Sequence, residues 1–520
     1  MDPTARAIAQ SYDAVPYESR PFPQTHPARS AALARLFGLT PPAIERARIL
    51  ELGCAAGGNI IPMAASFPNA TFVGIDLSPS QVEDGTARIQ QLGLTNINLR
   101  HQSITDLSQA DGAFDYIISH GVYSWVPADV RRAILRIAHE NLSPDGVAYI
   151  SYNVHPGWRL RGVLREAMLF HIGSATDCAE RLAKARAFLN QLAEITDGAT
   201  AYGQLLRQEA KAIAGQEDYY IAHEYLEHTN DPCYVGDFLA DASSAGLAYL
   251  TEANFNVTIA ETFGTDKGRQ LRDLSGNNLE RMEQYIDFLT GRTFRQSLLV
   301  HAAKHGTIMR TLTPDRLDGL HIQSNLTLIP PADAVTNPQP FIFRDPAART
   351  LTTPCPYVCA SLEALGRAYP RTASIDGLIG NAPDDIARAT IRDALFKLVI
   401  AGMADLTTVP ASPQMSLNDC PNALPLARAD AAAGRSWTTN PRHEAIPLDI
   451  VQCAVLPLLD GTHDTDALVA ALRAKVAEGQ IIFQKSGISL ASEHEIADAA
   501  REHLAAALSK LTRSGLLVAA

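Results

Sequence analysis

Between Arg48 and Asn153, short continuous apolar runs alternate with amphipathic stretches. Arg48–Leu52 reads as a buried strand, Asn59–Ser66 as a helix and Thr71–Ile75 as a second strand. A helix over Ser80–Gln91 and a third strand over Ile97–Arg100 follow. Phe114–Ser119 is a fourth strand, Asp129–Asn141 a helix after Pro127, and Val147–Asn153 a fifth strand. Strands that are apolar on both faces and separated by helices predict a parallel sheet covered on both sides. The expected fold class is therefore α/β, with a doubly wound, Rossmann-like sheet.

After Asn153 the alternation stops. Residues from about 157 to 228 are rich in Ala, Leu, Arg and Glu at helical spacing and predict an inserted helical layer. Val235–Ala245 then reads as a helix, Leu247–Ala253 as a strand and Phe294–Ala302 as a late strand, so the sheet ends only near Ala303. Pro and Thr clusters at Leu328–Pro340 and Thr407–Pro425 mark linkers. Two later segments resemble each other: "IRDALFKLVIAGMADLTT" from Ile391 and "LAAALSKLTRSGLLVAA" from Leu504. Each gives a helix, a glycine stop and an apolar strand, and each follows a shorter helical segment. That is the outline of a winged-helix module, expected around 340–410 and again around 440–520.

A chain of 520 residues exceeds what one core supports, and 46% hydrophobic with 19% charged residues is an ordinary globular composition. Seven scattered cysteines do not form a disulfide framework and suit a reducing compartment. The first thirty residues carry Asp2, Asp13 and Glu18 with no apolar segment, so no signal peptide is expected. No apolar run is long enough to span a bilayer. The expectation is a cytoplasmic protein without membrane insertion. The net charge of −12, without a basic stripe, argues against nucleic acid as a partner. It weakly favours lysine-bearing ones.

The chemistry begins at "RILELGCAAGGNIIPMA", from Arg48 to Ala64. A strand ends at Leu52, a Gly-rich turn covers Gly53, Cys54, Gly57 and Gly58, and a helix starts at Asn59. Glycine lets the backbone approach a ligand, and the helix start offers N–H groups to a carboxylate. Glu51 is placed to bond a ligand ammonium or to fix the loop. Ala55 stands where a middle glycine is usual and is expected at an ordinary φ. "TFVGIDLS" puts Asp76, followed by Leu77, 23 residues after Gly53, where a carboxylate accepts both ribose hydroxyls. NAD-binding domains share that pairing, but Glu-x-Gly is the methyltransferase start and Gly-x-Gly-x-x-Gly is not in register. "HQSITDL" brings Ser103 and Ile104 to the adenine, and "FDYIISHGVYSWVP" leads from the fourth strand, through His120, to the reaction centre. The four elements in order predict a class I methyltransferase domain that binds S-adenosylmethionine.

The segments "SYDAVPYESRPFPQTHPARSAALARLFGL" (11–39), "HGVYSWVP" (120–127), "SYNVHPGW" (151–158) and "HEYLE" (223–227) resemble one family. It is the methyltransferases with an accompanying regulatory domain, which include rickettsial lysine methyltransferases acting on outer-membrane proteins. The resemblance implies the class I fold, S-adenosylmethionine as donor and a protein lysine ε-amine as acceptor. The domain division expected is a methyltransferase domain over 1–303, with the helical insertion at about 157–228 and a regulatory segment at about 218–303. A middle winged-helix-like domain over 304–415 and a C-terminal one over 416–520 complete it.

Transfer to an amine is an in-line displacement, so the site must align a neutral nitrogen and surround a dispersing positive charge. Tyr123, Trp125, Tyr152, Asn153, His155 and Trp158 lie just beyond strand ends four and five, where doubly wound folds bind ligands. They are the catalytic candidates, together with His120 as a base for the amine. Each aromatic also has a plain packing reading. Tyr12 and Tyr17 precede the first strand and could fold over the cofactor as a lid. His223 and Glu224 suggest a zinc helix, but position 227 is Glu and the second histidine falls at 228, out of phase. No metal is expected, Cys355 and Cys359 read as core thiols, and Cys54 reads as close packing. The rival functions are a small-molecule methyltransferase with oligomerisation domains and a donor-sensing DNA-binding regulator. Substrate identity and oligomeric state stay open.

Overall fold

The computed structural model describes residues 19–518, apart from 228, 330–339, 381, 412–416 and 486. Strand β1 (Arg48–Leu52) is buried at every position after the first, because Ile49, Leu50 and Leu52 cover both faces and Glu51 joins them. Around it lie β2 (Thr71–Asp76), β3 (Ile97–His101), β4 (Phe114–Ser119) and β5 (Leu142–Asn153), with β6 (Leu247–Glu252) and β7 (Phe294–His301) beyond. The order is β3-β2-β1-β4-β5-β7-β6. The first five strands pair parallel, while β7 runs antiparallel between β5 and β6. An all-parallel dinucleotide-binding sheet has no such reversed strand. The reversal therefore separates this fold from the dehydrogenase alternative.

Alternate residues of β5 serve the two faces. Val147 and Tyr149 join an apolar cluster with helix α1 (Pro27–Leu36) and helix α2 (Ile60–Ser66). Ala148, Ile150 and Tyr152 join a second cluster on the other side. Helix α3 (Pro79–Gln91) follows β2, helix α4 (Ala128–Glu140) follows β4, and the helical layer is α5 (Gly157–Ile172), α6 (Cys178–Ile195), α7 (Ala201–Ala214) and α8 (Asp218–Tyr225). That layer carries its own small core of Leu164, Met168, Leu189, Ile213 and Tyr225. Helix α9 (Val235–Ser244) leads into β6, and α10 (Thr265–Ser275) and α11 (Leu279–Thr290) lead into β7.

The middle region folds as helices Pro356–Ala368, Ile375–Gly380 and Asp385–Ile400, beside a small antiparallel sheet of His321–Gln323, Ala373–Ser374 and Asp405–Thr407. Its Leu362, Leu395 and Leu398 belong to the same cluster as Leu36, Phe72 and Leu298. This region and one face of the large sheet thus share a core. The last part packs helices Pro425–Ala432, Ile450–Val455, Thr465–Ala477 and Glu493–Arg513 around Leu468, Leu472, Leu504 and Leu511. Gly515, at φ +76, turns the chain into Leu517–Val518, which pairs with Asn422–Ala423. No helix among the described residues is long and apolar enough to cross a membrane.

Candidate active site

The turn after β1 is tied to β2 by two bonds, from the N–H groups of Gly53 and Cys54 to the carbonyl of Ile75 at 2.9 and 3.0 Å. Gly53 has φ +75, and a Cβ there would stand 2.5 Å from Val122 Cγ2, so only glycine fits. Ala55 departs from its expected ordinary backbone and sits at φ +47. The left-handed region costs a residue with a Cβ on the order of 1 kcal/mol. Here the Ala55 N–H is drawn onto Asp76 Oδ2 at 2.8 Å, and that charge-assisted bond offsets the cost.

Asp76 Oδ1 accepts the Ser78 N–H at 2.9 Å. Each oxygen keeps a lone pair for a further donor, as two ribose hydroxyls require. Burial raises the Asp76 carboxyl above its ordinary range, and the N–H groups of Ser78, Ala55 and Leu77 pull it back. Leu77 is half-buried beside it. Asp76 lies opposite His101 in the β2–β3 register, and half-buried Ser103 and Ile104 follow directly past the end of β3.

Glu51 is 3% exposed. Its Oε1 accepts from Asn59 Nδ2 at 2.7 Å, while Oε2 is buried with no hydrogen-bond partner among the described residues. Burial pushes this carboxyl up to about 8. A buried carboxyl oxygen left without a partner is costly, and an incoming ammonium would satisfy it by drawing the group into its charged form. The donor's amino-acid end therefore fits the residues present. Cys54 is different: its side chain packs into the apolar cluster and its N–H is already spent on Ile75. It contributes packing. Gly57 closes the turn through its N–H on Cys54 O at 2.8 Å.

Tyr12 and Tyr17 lie outside the described residues. The segment directly after them crosses the turn. Ser19 Oγ accepts the Gly58 N–H at 2.8 Å, and a Cβ on Gly58 would fall 1.8 Å from Ser19 O. The Phe22 N–H donates to Asn59 Oδ1 at 3.0 Å, and Thr25 Oγ1 lies between that oxygen at 3.0 Å and Phe22 O at 2.8 Å, its one proton shared between them.

The Phe22 ring stands 4.0 Å from that of His120 at the end of β4. His120 Nδ1 is 2.9 Å from Tyr149 Oη and 3.3 Å from Ser151 Oγ, and Phe294 meets the ring edge-on at 5.9 Å. Burial lowers His120 to about 4, so the imidazole is neutral at physiological pH. Beside Phe294 opens a cavity of about 480 Å³, bordered by Asn256, Phe263, Thr290, Arg292 and Thr293.

The remaining candidates fall into two other groups. Tyr152 stacks on Phe238 at 3.9 Å, bonds Ser297 through its hydroxyl at 3.0 Å and is 1% exposed. Tyr123 meets the same Phe238 edge-on at 5.3 Å. Their expected place at the acceptor is corrected: β5 alternation turns Tyr152 into the layer under α4 and α9, and Tyr123 follows it. Trp125 and Trp158 stand edge-to-face at 6.2 Å next to the helical layer, with Tyr225 against Trp158. Asn153 is buried and donates to Asn230 Oδ1 at 3.2 Å, while His155 lies against Tyr234. His223 Nδ1 pairs with Glu227 at 3.0 Å.

Sequence reasoning missed Phe22, Tyr149, Phe294 and His443. Phe22 lay inside a segment already singled out, and Tyr149 shares the β5 face of Ser151 by simple alternation. For Phe294 and His443 no local signal existed, since both reach the site from distant parts of the chain.

The reversed seventh strand, the glycine turn bound to Asp76 and the unpartnered oxygen of Glu51 together define a class I methyltransferase that uses S-adenosylmethionine. Three family models match in sequence: a methyltransferase domain over 45–225, a predicted methyltransferase regulatory domain over 217–301 and a PKMT C-terminal winged-helix domain over 419–516. An uncharacterized protein of Rickettsia prowazekii is 34% identical, covering 98% of this chain and 93% of that one. PKMT2 from Rickettsia typhi superposes with a TM-score of 0.86 at 27% identity, over 97% of this chain and 100% of that one. Its complex with AdoHcy matches at 0.84, with 28% identity and the same coverage. The chain belongs to this family of methyltransferases with a regulatory domain and a PKMT winged-helix domain, which has rickettsial members.

Proposed function

We propose that the protein methylates lysine ε-amines of a protein substrate. The observation that carries this reading is the end-to-end likeness to PKMT2 of R. typhi, which includes the accessory regions that a small acceptor does not need. S-adenosylmethionine, when bound, would supply a sulfonium methyl that a neutral amine takes in line, the N–C bond forming as the S–C bond breaks and the thioether leaves. Asp76 would receive the ribose hydroxyls, Leu77, Ser103 and Ile104 would border the adenine, and Glu51 Oε2 would meet the ammonium. Gly53 and Gly57 allow the close backbone approach, and Asn59 holds Glu51.

His120 faces the acceptor. Its low proton affinity makes it a poor base for a lysine ammonium, so the proton leaves to solvent before transfer. In the tautomer with Nδ1–H on Tyr149, Nε2 accepts from the neutral amine and aims its lone pair. Phe22 and Phe294 offer ring faces to the cation that forms. The cavity beside Phe294 admits the polypeptide that bears the lysine, and half-buried Trp125 borders its approach from the helical layer, backed by buried Trp158 and Asn153. The domain division read from the sequence belongs to the same proposal: methyltransferase and regulatory parts to 303, then the middle and C-terminal modules.

The test is incubation with a deuterated donor and a cell proteome, followed by mass spectrometry. Deuterated methyl groups on lysines of a protein are expected. Label confined to filterable small molecules would refute the reading and favour the small-molecule alternative. A salt-sensitive shift of duplex DNA, without labelled protein, would favour the regulator.

A further inference from the structure

His443 sits in the hairpin formed by Trp437–Thr439 and Ala445–Pro447, within the part matched by the winged-helix model. The turn of this hairpin is built from its own polar groups. Asn440 Oδ1 accepts the N–H groups of Arg442 and Glu444 at 3.0 Å each, and the His443 N–H donates to Asn440 O at 2.9 Å. The turn holds His443 at φ +61, a left-handed backbone that a side chain rarely adopts. Strain of that kind persists only where the surroundings enforce it, and it collects at functional places.

The imidazole, 3% exposed, enters the methyltransferase part beside His26, whose ring stands 5.3 Å away. There Nε2 lies 2.8 Å from Asn59 Oδ1. Burial keeps His443 neutral, so the single ring proton belongs on Nε2, facing that oxygen. The oxygen already receives the Phe22 N–H. Two N–H donors converging on one amide oxygen leave the amide a single orientation. Nδ2 must point the other way, to Glu51 Oε1 at 2.7 Å, and this leaves Oε2 as the bare oxygen.

A second contact fixes the base of the hairpin. Asp430 forms a two-pronged pair with Arg88 of α3 at 2.7 and 2.9 Å, with side chains 1% and 3% exposed. Asp430 also accepts from Thr438 Oγ1 at 2.8 Å, and Arg88 lies over the Trp437 ring. Helix α3 follows directly on Asp76. The C-terminal domain is therefore anchored both to the far end of α3 and to Asn59.

We infer that His443 is a positioning residue for the methyl donor, acting through Asn59 to hold Glu51 against the donor's ammonium, so that the C-terminal domain sets donor affinity. Among the described residues, His443 is the part of that domain that hydrogen-bonds the Asn59–Glu51 pair.

The test uses the full-length protein and calorimetric affinity for S-adenosylhomocysteine, with 5′-methylthioadenosine as a probe that lacks the amino-acid end. His443→Ala should weaken S-adenosylhomocysteine about tenfold, the scale of one lost buried hydrogen bond, while methylthioadenosine binds as before. His443→Asn, which tolerates the left-handed backbone but falls short of Asn59, should lose the same factor. His443→Gln, whose amide can reach the oxygen, should recover most of it. KM for the donor should rise with kcat near wild type, and in a Glu51→Gln background His443→Ala should add no further loss. Unchanged S-adenosylhomocysteine affinity in the Ala and Asn variants overturns the inference. So does equal weakening of both probes, or an effect that simply adds to that of Glu51→Gln.

Discussion

The Ala55 N–H donates to Asp76 Oδ2 at 2.8 Å and makes one object of the turn after β1 and the tip of β2. The carboxylate holds the turn in its left-handed form, and the turn in turn fixes the carboxylate. Each carboxylate oxygen then keeps a lone pair for a further donor.

Replacing Asp76 removes both roles. Asp76→Ala should weaken S-adenosylhomocysteine by on the order of 1–3 kcal/mol through lost ribose bonds. Asp76→Asn, which keeps an oxygen for Ala55, should lose less. Calorimetry on both variants measures this, and equal affinity for wild type and Asp76→Ala would remove Asp76 from the donor site.

Glu51 links donor binding to pH. With its carboxyl pushed up to about 8, the free protein holds Glu51 protonated at pH 6–7. Pairing with an ammonium favours the charged form, so binding releases a proton there. The sign follows: donor affinity rises from pH 6 to about pH 8, and falls again where the donor's own α-amine titrates, near 8. Titrations in phosphate and Tris should give enthalpies that differ in proportion to the proton released. Glu51→Gln should flatten the slope.

Trp125 and Tyr152 should respond oppositely, although both lie near the ends of neighbouring strands. Trp125→Ala should lower turnover at saturating donor while donor affinity stays near wild type. Tyr152→Phe should leave turnover unchanged and cost about 1 kcal/mol of stability, the bond to Ser297 being buried. Steady-state kinetics with a denaturant melt separates the two. Normal turnover in Trp125→Ala would make that ring packing alone.

Arg295, with no exposed side-chain surface, meets Glu252 at 3.0 Å, Glu283 at 2.9 Å and Asp287 at 2.8 Å. It locks α11 and β6 onto β7 immediately beside Phe294. Arg295→Met leaves these acids without their central cation and should destabilise by about 3–5 kcal/mol. The melt should be least affected at low pH, where the acids are protonated. A wild-type melt at pH 7 would show that the acids neutralise without Arg295.

The strands from β1 to β5 were legible because each is a run of apolar residues whose burial on both faces is decided locally. β2, β3 and β5 extend past their expected ends by one or more residues, with β5 starting at Leu142 rather than Val147. Gly53 and Asp76 were legible for a related reason: a turn and a carboxylate at strand tips are short-range features with few physical alternatives. The two glycines before the last strand of each C-terminal module also marked real chain reversals, with Gly402 at φ +66 and Gly515 at φ +76.

What one strand position does depends on which face it takes and on what packs there. That choice put Tyr149 beside His120 and sent Tyr152 into the core. The φ of Ala55 was decided by an acceptor 21 residues away. His443 reaches Asn59 across 384 residues, through a hairpin whose place is set by Arg88 and Asp430. Local pattern determined the scaffold and the placing of Asp76 beside the glycine turn. Long-range burial of polar groups, each needing a partner wherever the fold could supply one, decided the rest of the site.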